Sequence, residues 1–110
     1  MSNFNSVILE GNLVKDPELR YTAGGTAICT FPIGVNRSFK KGDEWQDEAS
    51  FFDVQTWGKM AERATNTTFK GKKVVVTGYL KQERWETDGH KRSKVVVVAR
   101  EVFPVERSDG

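Results

Sequence analysis

The sequence is poor in the residues that usually announce a chemistry. One cysteine, Cys29, and one histidine, His90, stand among 110 residues, which excludes an internal disulfide and leaves His90 without a Cys or His partner for a metal. A lone thiol also fits a reducing compartment. Long apolar runs are missing: the longest is Val95 to Ala99, far short of the ~20 residues of a membrane span, so a soluble chain with no membrane partner is expected. The start, Met1-Ser2-Asn3-Phe4-Asn5, has neither a basic block nor an apolar stretch, and no signal peptide is read there. Lys70-Gly71-Lys72-Lys73 lacks the glycine spacing and the hydroxyl residue of a nucleotide phosphate loop. One-sided charge is absent as well, 17 Lys and Arg facing 15 Asp and Glu for a formal net charge of +2. Folding at this length buries roughly two-thirds of the unfolded chain's surface, enough for one modest core, and one domain is expected.

What is present is alternation. Val7, Leu9 and Leu13 share a parity, with Glu10 and Asn12 between them, and Gly11 on the apolar parity marks a bulge or bend. Turn residues follow at Lys15-Asp16-Pro17-Glu18 and Ala23-Gly24-Gly25. A second strand runs from Thr26 through Ala27, Cys29, Phe31, Ile33 and Val35, and Pro32 inside it argues for an edge or a bulge. Residues 40–49 are dense in charge, contain Gly42, and read as a hairpin loop; a third strand covers Ser50 to Trp57. Helical spacing occurs only over 58–64, through Met60, Ala61 and Ala64, and the β-branched Thr65, Thr67 and Thr68 limit its length. A fourth strand, from Lys73 to about Trp85, meets a fifth, from about Lys91 to Val105, at the hairpin signal Asp88-Gly89. Three strands, one short helix between strands three and four, and two further strands predict an all-β OB-fold, a five-stranded Greek-key barrel over residues 1–105, with 106–110 a short C-terminal end.

Parity divides packing residues from outward ones. Val74, Val76, Gly78 and Leu80 form an apolar row suited to the barrel interior, while Lys73, Val75, Thr77, Tyr79, Lys81, Glu83 and Trp85 face out. In the third strand Phe52 and Val54 take the core parity and Phe51, Asp53, Gln55 and Trp57 the other. A single exposed aromatic needs no explanation, but Phe51, Trp57, Tyr79 and Trp85 together, with Lys59, Lys81 and Arg84 close by in sequence, ask for a partner. Phe39 joins them, lying between Arg37 and Lys40 at the mouth of the charged loop. The near-neutral total hides a segregation: residues 59–94 hold ten basic residues, Lys70 and Lys72 among them, and four acidic ones, a net of +6 against −4 for the remainder. Cations interleaved with flat apolar rings suit a single strand of nucleic acid, whose phosphates need positive charge and whose unstacked bases need faces. A duplex hides those faces and calls for an element shaped to a groove.

Other candidates read as structure. Cys29 shares parity with Ala27 and Phe31 and is expected to be a buried, inert thiol. Asp43, Glu44, Asp47, Glu48 and Asp53 form the one acidic cluster, and the first four read as a solvated tip rather than a nuclease metal site. Trp45, in that tip, caps DNA or packs on a neighbouring subunit. Val95 to Ala99 is apolar at both parities, which implies that its outer face is covered too, by a loop, a helix or a second subunit.

The segments from Asn5 to Leu13, from Asp16 to Thr22 and from Phe51 to Glu62, with Gly78-Tyr79-Leu80 leading to Arg84-Trp85, resemble the bacterial-type single-stranded DNA-binding (SSB) proteins, in order and at the family's spacing from residue 3 to about 105. The resemblance implies an OB-fold that assembles as a homotetramer, or as a dimer of two-domain chains in some branches. It further implies sequence-tolerant coating of ssDNA in replication, recombination and repair, in the cytoplasm at the nucleoid, with no enzymatic activity, cofactor or metal. By the same resemblance the base-stacking aromatics fall on Phe39, Phe51, Trp57 and Trp85, and the backbone-tracking cations on Arg20, Lys59, Lys70, Lys81 and Arg84; Arg37, Lys40 and Lys72 join the cations from the charge reading. Two departures stand out. Family members usually continue into a flexible tail with an acidic, aromatic tip, whereas this sequence ends Val105-Glu106-Arg107-Ser108-Asp109-Gly110, so recruitment of replication and repair proteins by such a tail is not carried over. Asp53 is the other: an acid amid the outward aromatics, it either weakens local contact or bridges to a Lys or Arg. The alternatives are a primosomal OB-fold protein bridging ssDNA and a helicase, and a barrel-type protein-interaction module.

Overall fold

A computed structural model describes residues 2–106 of the chain. Six strands and one helix succeed one another: β1 (Val7–Leu13), β2 (Glu18–Tyr21), β3 (Ala27–Lys41), β4 (Glu44–Trp57), α1 (Lys59–Thr67), β5 (Lys73–Thr87) and β6 (His90–Pro104). The strand that closes the sheet is β1. From Val7 to Asn12 it pairs antiparallel with β5, and at Asn12 and Leu13 it also pairs with Gly34 and Ile33 of β3. The remaining ladders, β5 to β6, β6 to β4 and β4 to β3, complete a ring of five strands. The expected five-stranded OB barrel with one helix between its third and fourth strands is therefore the observed one, and β2 is a short annex on β3. The expected end at 106–110 lies outside the described residues except for Glu106.

Alternation fills the interior. Leu13, Ala27, Cys29, Phe31, Ile33, Val54, Val74, Val76, Val97 and Ala99 form one buried cluster, against which α1 sets Ala61 and Ala64. Cys29 is a packing residue, as its parity indicated. The helix runs to Thr67, three residues past the expected end, and its threonines turn their hydroxyls onto the helix itself: Thr65 donates to the Ala61 carbonyl and Thr67 to that of Arg63.

Two glycines let backbones meet where the barrel is tightest. A Cβ at Gly11 would strike the Gly34 carbonyl of β3, and one at Gly78 the Val98 carbonyl of β6. Gly11 is thus a close approach between strands and not the bulge its sequence position suggested. The bulge is on β6: Thr77 pairs with Glu101 but Gly78 with Ala99, which leaves Arg100 as the extra residue. One inserted residue switches the inward parity from Val102 to Ala99 and Val97. Val96 and Val98, on the opposite parity, are nevertheless buried within the single chain. The run from Val96 to Ala99 therefore needs no second subunit to cover it, and Val95 alone of that stretch is exposed.

Several sequence expectations change here. Residues 40–49 are not a loop: β3 and β4 continue as a two-stranded arm to Lys41 and Glu44 and turn through Gly42, at positive φ, and Asp43. Polar cross-strand pairs hold it, Ser38 donating to Asp47 at 2.7 Å and Arg37 facing Glu48 at 3.8 Å, so no apolar alternation marks it. Between the turns expected at 15–18 and 23–25, overlapping the first at Glu18, lies β2, a strand not expected from the sequence; its four residues are all exposed. Pro32 lies at a local edge and not at a bulge, in the break between the β2 and β1 ladders on β3. Its carbonyl accepts from Val14 on that side, so the missing N–H falls where β3 has no strand partner. Leu80 and Phe52 have the core parity and are nonetheless exposed.

Replacing Gly78 with Ala is expected to lower stability by about 1–3 kcal/mol, since the added methyl meets backbone that cannot turn aside; the shift in urea midpoint measures it.

Candidate nucleic-acid interface

The outer face is organised by register. Arg20, Ile28 and Trp57 stand opposite one another on β2, β3 and β4, and Glu18, Thr30 and Gln55 form the next row. Pro32 with Asp53, and Gly34 with Phe51, follow on β3 and β4. Phe51 and Trp57 are therefore on one face, six residues and about 20 Å apart along the strand. They keep 65% and 40% of their surface exposed. Gly34 makes room for Phe51, whose ring edge covers the place of its missing side chain.

A polar strap joins this face to β5. Lys94 of β6 reaches Asp53 at 3.0 Å and is the cross-strand partner of Glu83. Glu83 in turn accepts from the Gln55 amide at 3.0 Å. Asp53 lies two residues from Phe51, Gln55 two from Trp57, and Glu83 two from Trp85, so the strap spans the floor between the three aromatics. Trp85 is 43% exposed and pairs with Arg92. The strap also explains why Gln55, outward by parity, is buried. The Asp53–Lys94 pair, by contrast, is half exposed, and such pairs contribute only about 0–1 kcal/mol. Beside the strap a cleft of about 270 Å³ is lined by Arg20, Lys15 and Asp16 as well as by Asp53, Glu83 and Lys94.

The other expected cations distribute unevenly. Lys59 opens α1 two residues after Trp57, Gly58 turning the chain between them at positive φ. The backbone N–H of Lys70 donates to Asp16 at 2.8 Å, which brings its loop to the cleft. Lys81 is exposed on the outward parity of β5, opposite Val96. Arg84 takes the opposite parity from Trp85 on the β5–β6 ribbon and donates to Gln82 at 2.6 Å. Lys72 stands apart, over the Phe69 ring at 5.7 Å in a groove it shares with Asn12 and Val105. On the β3–β4 arm, Phe39 lies under the Arg37 guanidinium, 4.6 Å from its centroid, and pairs with Gln46. That parity continues into the barrel interior, whereas the Lys40–Trp45 pair continues the parity of Gly34 and Phe51. Tyr79 is covered by Arg100 at 5.0 Å, beside Phe4 and Asn5, and is not part of the Phe51–Trp57 row. Lys94 and Gln55, which complete the strap, are the residues sequence reading did not single out; the only signal was the unexplained acid at Asp53.

Among the described residues no three His, Cys, Asp or Glu side chains are grouped to hold a metal, and no helix is long and apolar enough to cross a membrane.

Residues 4–105 match the profile of the single-strand binding protein family. The chain belongs to this family. It is 45% identical over 102 residues to the single-stranded DNA-binding protein of Treponema pallidum, an alignment that takes in 93% of this chain and 58% of that protein. Its fold superposes on a deletion mutant of the single-stranded DNA binding protein from Thermus aquaticus with a TM-score of 0.85 at 32% identity, covering 96% of this chain and 52% of the other. The chain thus spans little more than half the length of these two relatives. A Plasmodium falciparum SSB solved in complex with ssDNA superposes with a TM-score of 0.87 over 96% of this chain and 98% of that one; at 16% identity this likeness establishes the OB-fold alone. Family membership and the outer-face geometry thus concern the same stretch, since Phe51, Trp57 and Trp85 all lie within the matched residues.

Exposure separates the three tryptophans of this SSB-family chain. Among variants that retain one each, the Trp45 form, 72% exposed, is expected to emit furthest to the red and to be quenched most steeply by acrylamide, with Trp57 and Trp85 close to each other.

Proposed function

We propose that the chain binds single-stranded DNA without strong sequence preference and coats it in replication, recombination and repair. The observation that carries this reading is the placement of Phe51, Trp57 and Trp85 on one continuous outer face of the barrel, exposed and bordered by cations. Bases stack on these three rings, each stack contributing about 1–3 kcal/mol whatever the base. Trp45 extends the platform onto the β3–β4 arm, and Phe39 offers a further ring on the arm's opposite face. Phosphates are met by Arg20, Lys59, Lys70 and Lys81 around the face, by Arg37 and Lys40 on the arm and by Arg84 on the β5–β6 ribbon; Lys72 lies furthest from this path. The likeness to the single-stranded DNA-binding proteins of Treponema pallidum and Thermus aquaticus supports the substrate.

Assembly as a homotetramer is part of the proposal. Between Val7 and Glu10 the β1 strand is paired only with β5, which leaves its other edge as a template for a second copy, and Ile8 is exposed beside it. Sedimentation at micromolar concentration is expected to return four times the chain mass, and a single-chain mass overturns this part.

Titration with oligo-dT tests the substrate. Tryptophan emission is expected to fall on binding, with a log–log salt slope near −0.7 per phosphate contacted. Trp57→Ala with Trp85→Ala is expected to weaken binding by about 2–6 kcal/mol, two stacks' worth; an unchanged affinity in that double variant sinks the assignment of the stacking face.

A further inference from the structure

We infer that Asp53 limits the grip of this face on DNA by occupying the cation that a phosphate would otherwise take, Lys94. The inference rests on the ssDNA reading above and assigns a role to two residues that the reading leaves without one.

The geometry is specific. Lys94 Nζ lies 3.0 Å from Asp53 Oδ2, and Lys94 is also the cross-strand neighbour of Glu83. The Gln55 amide, donating to Glu83 Oε1, ties that second carboxylate to β4. The central cation of the face is therefore flanked by two acids, one held in place by a buried side chain. Arg20, in the same cleft, has no ion pair among the described residues and is free to receive a phosphate. A strand running from Phe51 to Trp57 must cross Asp53. To use Lys94 it has to open the pair, and it then leaves a carboxylate charge beside its own phosphate. Neutralising one phosphate at Lys94 while stranding one acid releases less counterion than a free lysine does, so Asp53 lowers both the affinity and its dependence on salt. A protein that coats a strand and must later yield it has a use for such a ceiling.

Oligo-dT titrations of the whole chain over a sodium chloride series, using Asp53→Asn, Lys94→Ala and the two together, decide the matter. Asp53→Asn is expected to bind about 1.5- to 5-fold tighter at low salt, the range that an exposed ion pair spans, with a log–log slope steeper by up to about 0.7. With Lys94→Ala already in place, Asp53→Asn is expected to bring a clearly smaller gain, that of relieving the bare carboxylate's repulsion and no more. If Asp53→Asn changes neither affinity nor slope while Trp57→Ala still weakens binding, Asp53 is no limit, and the ssDNA reading stands without it. An equal gain with and without Lys94 also overturns the inference, because the acid then acts by repulsion at a distance and not by holding Lys94. No binding of oligo-dT by the unaltered chain overturns the ssDNA reading and this inference with it.

Discussion

Closure of the barrel at β1 is the constraint on which the rest depends. One seven-residue strand must pair with β5 along most of its length and then reach β3. It does so only because Gly11 carries no side chain where the Gly34 carbonyl passes. Without that contact the sheet would remain open between β1 and β3, and strand parity would no longer separate an inside from an outside. A second backbone approach, Gly78 against Val98, accompanies the Arg100 bulge. It corrects the inward parity of β6 in mid-strand, so that Val102 on one side of the bulge and Ala99 and Val97 on the other all reach the core.

Once closed, the barrel uses β4 twice. Val54 and Thr56 are fully buried, while Phe51, Asp53 and Trp57 stand outside on the same backbone. Truncating a core residue such as Phe31 costs about 3–5 kcal/mol in comparable cores, whereas opening an exposed ion pair costs about 0–1 kcal/mol. Rigidity therefore comes from inside, and the outer face is free to carry unfavourable charge without endangering the fold. That difference in scale is what allows an acid to sit between two exposed aromatic rings on the outer face.

Much of this was legible from residues alone, and the failures share a cause. The interior rows were readable because a half-buried strand writes its burial into alternation, as in Val74, Val76 and Gly78 or Cys29, Phe31 and Ile33. The outward placement of Phe51, Trp57 and Trp85 followed from the same rule. Where a strand is exposed on both faces the rule has nothing to act on. The arm over residues 40–49 looked like a loop for this reason, and β2 went unassigned between two turns. Long-range register was invisible as well: nothing local to Asp53 points to Lys94, forty-one residues away, and nothing local to Phe39 shows that it takes the parity opposite to Phe51. Parity also sets direction and not depth, which is why Leu80 is exposed and Gln55 buried against their apparent signs.

Charge shows the same dependence on place. A formal charge of +2 on 110 residues produces a weak field, and beyond about 8–10 Å salt screens what there is. Attraction of a polyanion to this surface is therefore settled by the few cations it can touch. The excess of basic residues over 59–94 does not act as one patch, because the fold scatters it: Lys59 goes to α1 beside Trp57, Lys72 to a groove with Phe69, Arg84 to the opposite parity from Trp85, and Lys94 to Asp53. Arg20, from outside that segment, arrives in the row of Trp57 through β2 and β3. A count of charge along the chain thus says little of where positive charge is presented; strand register decides which cations stand unpaired beside a ring among the described residues.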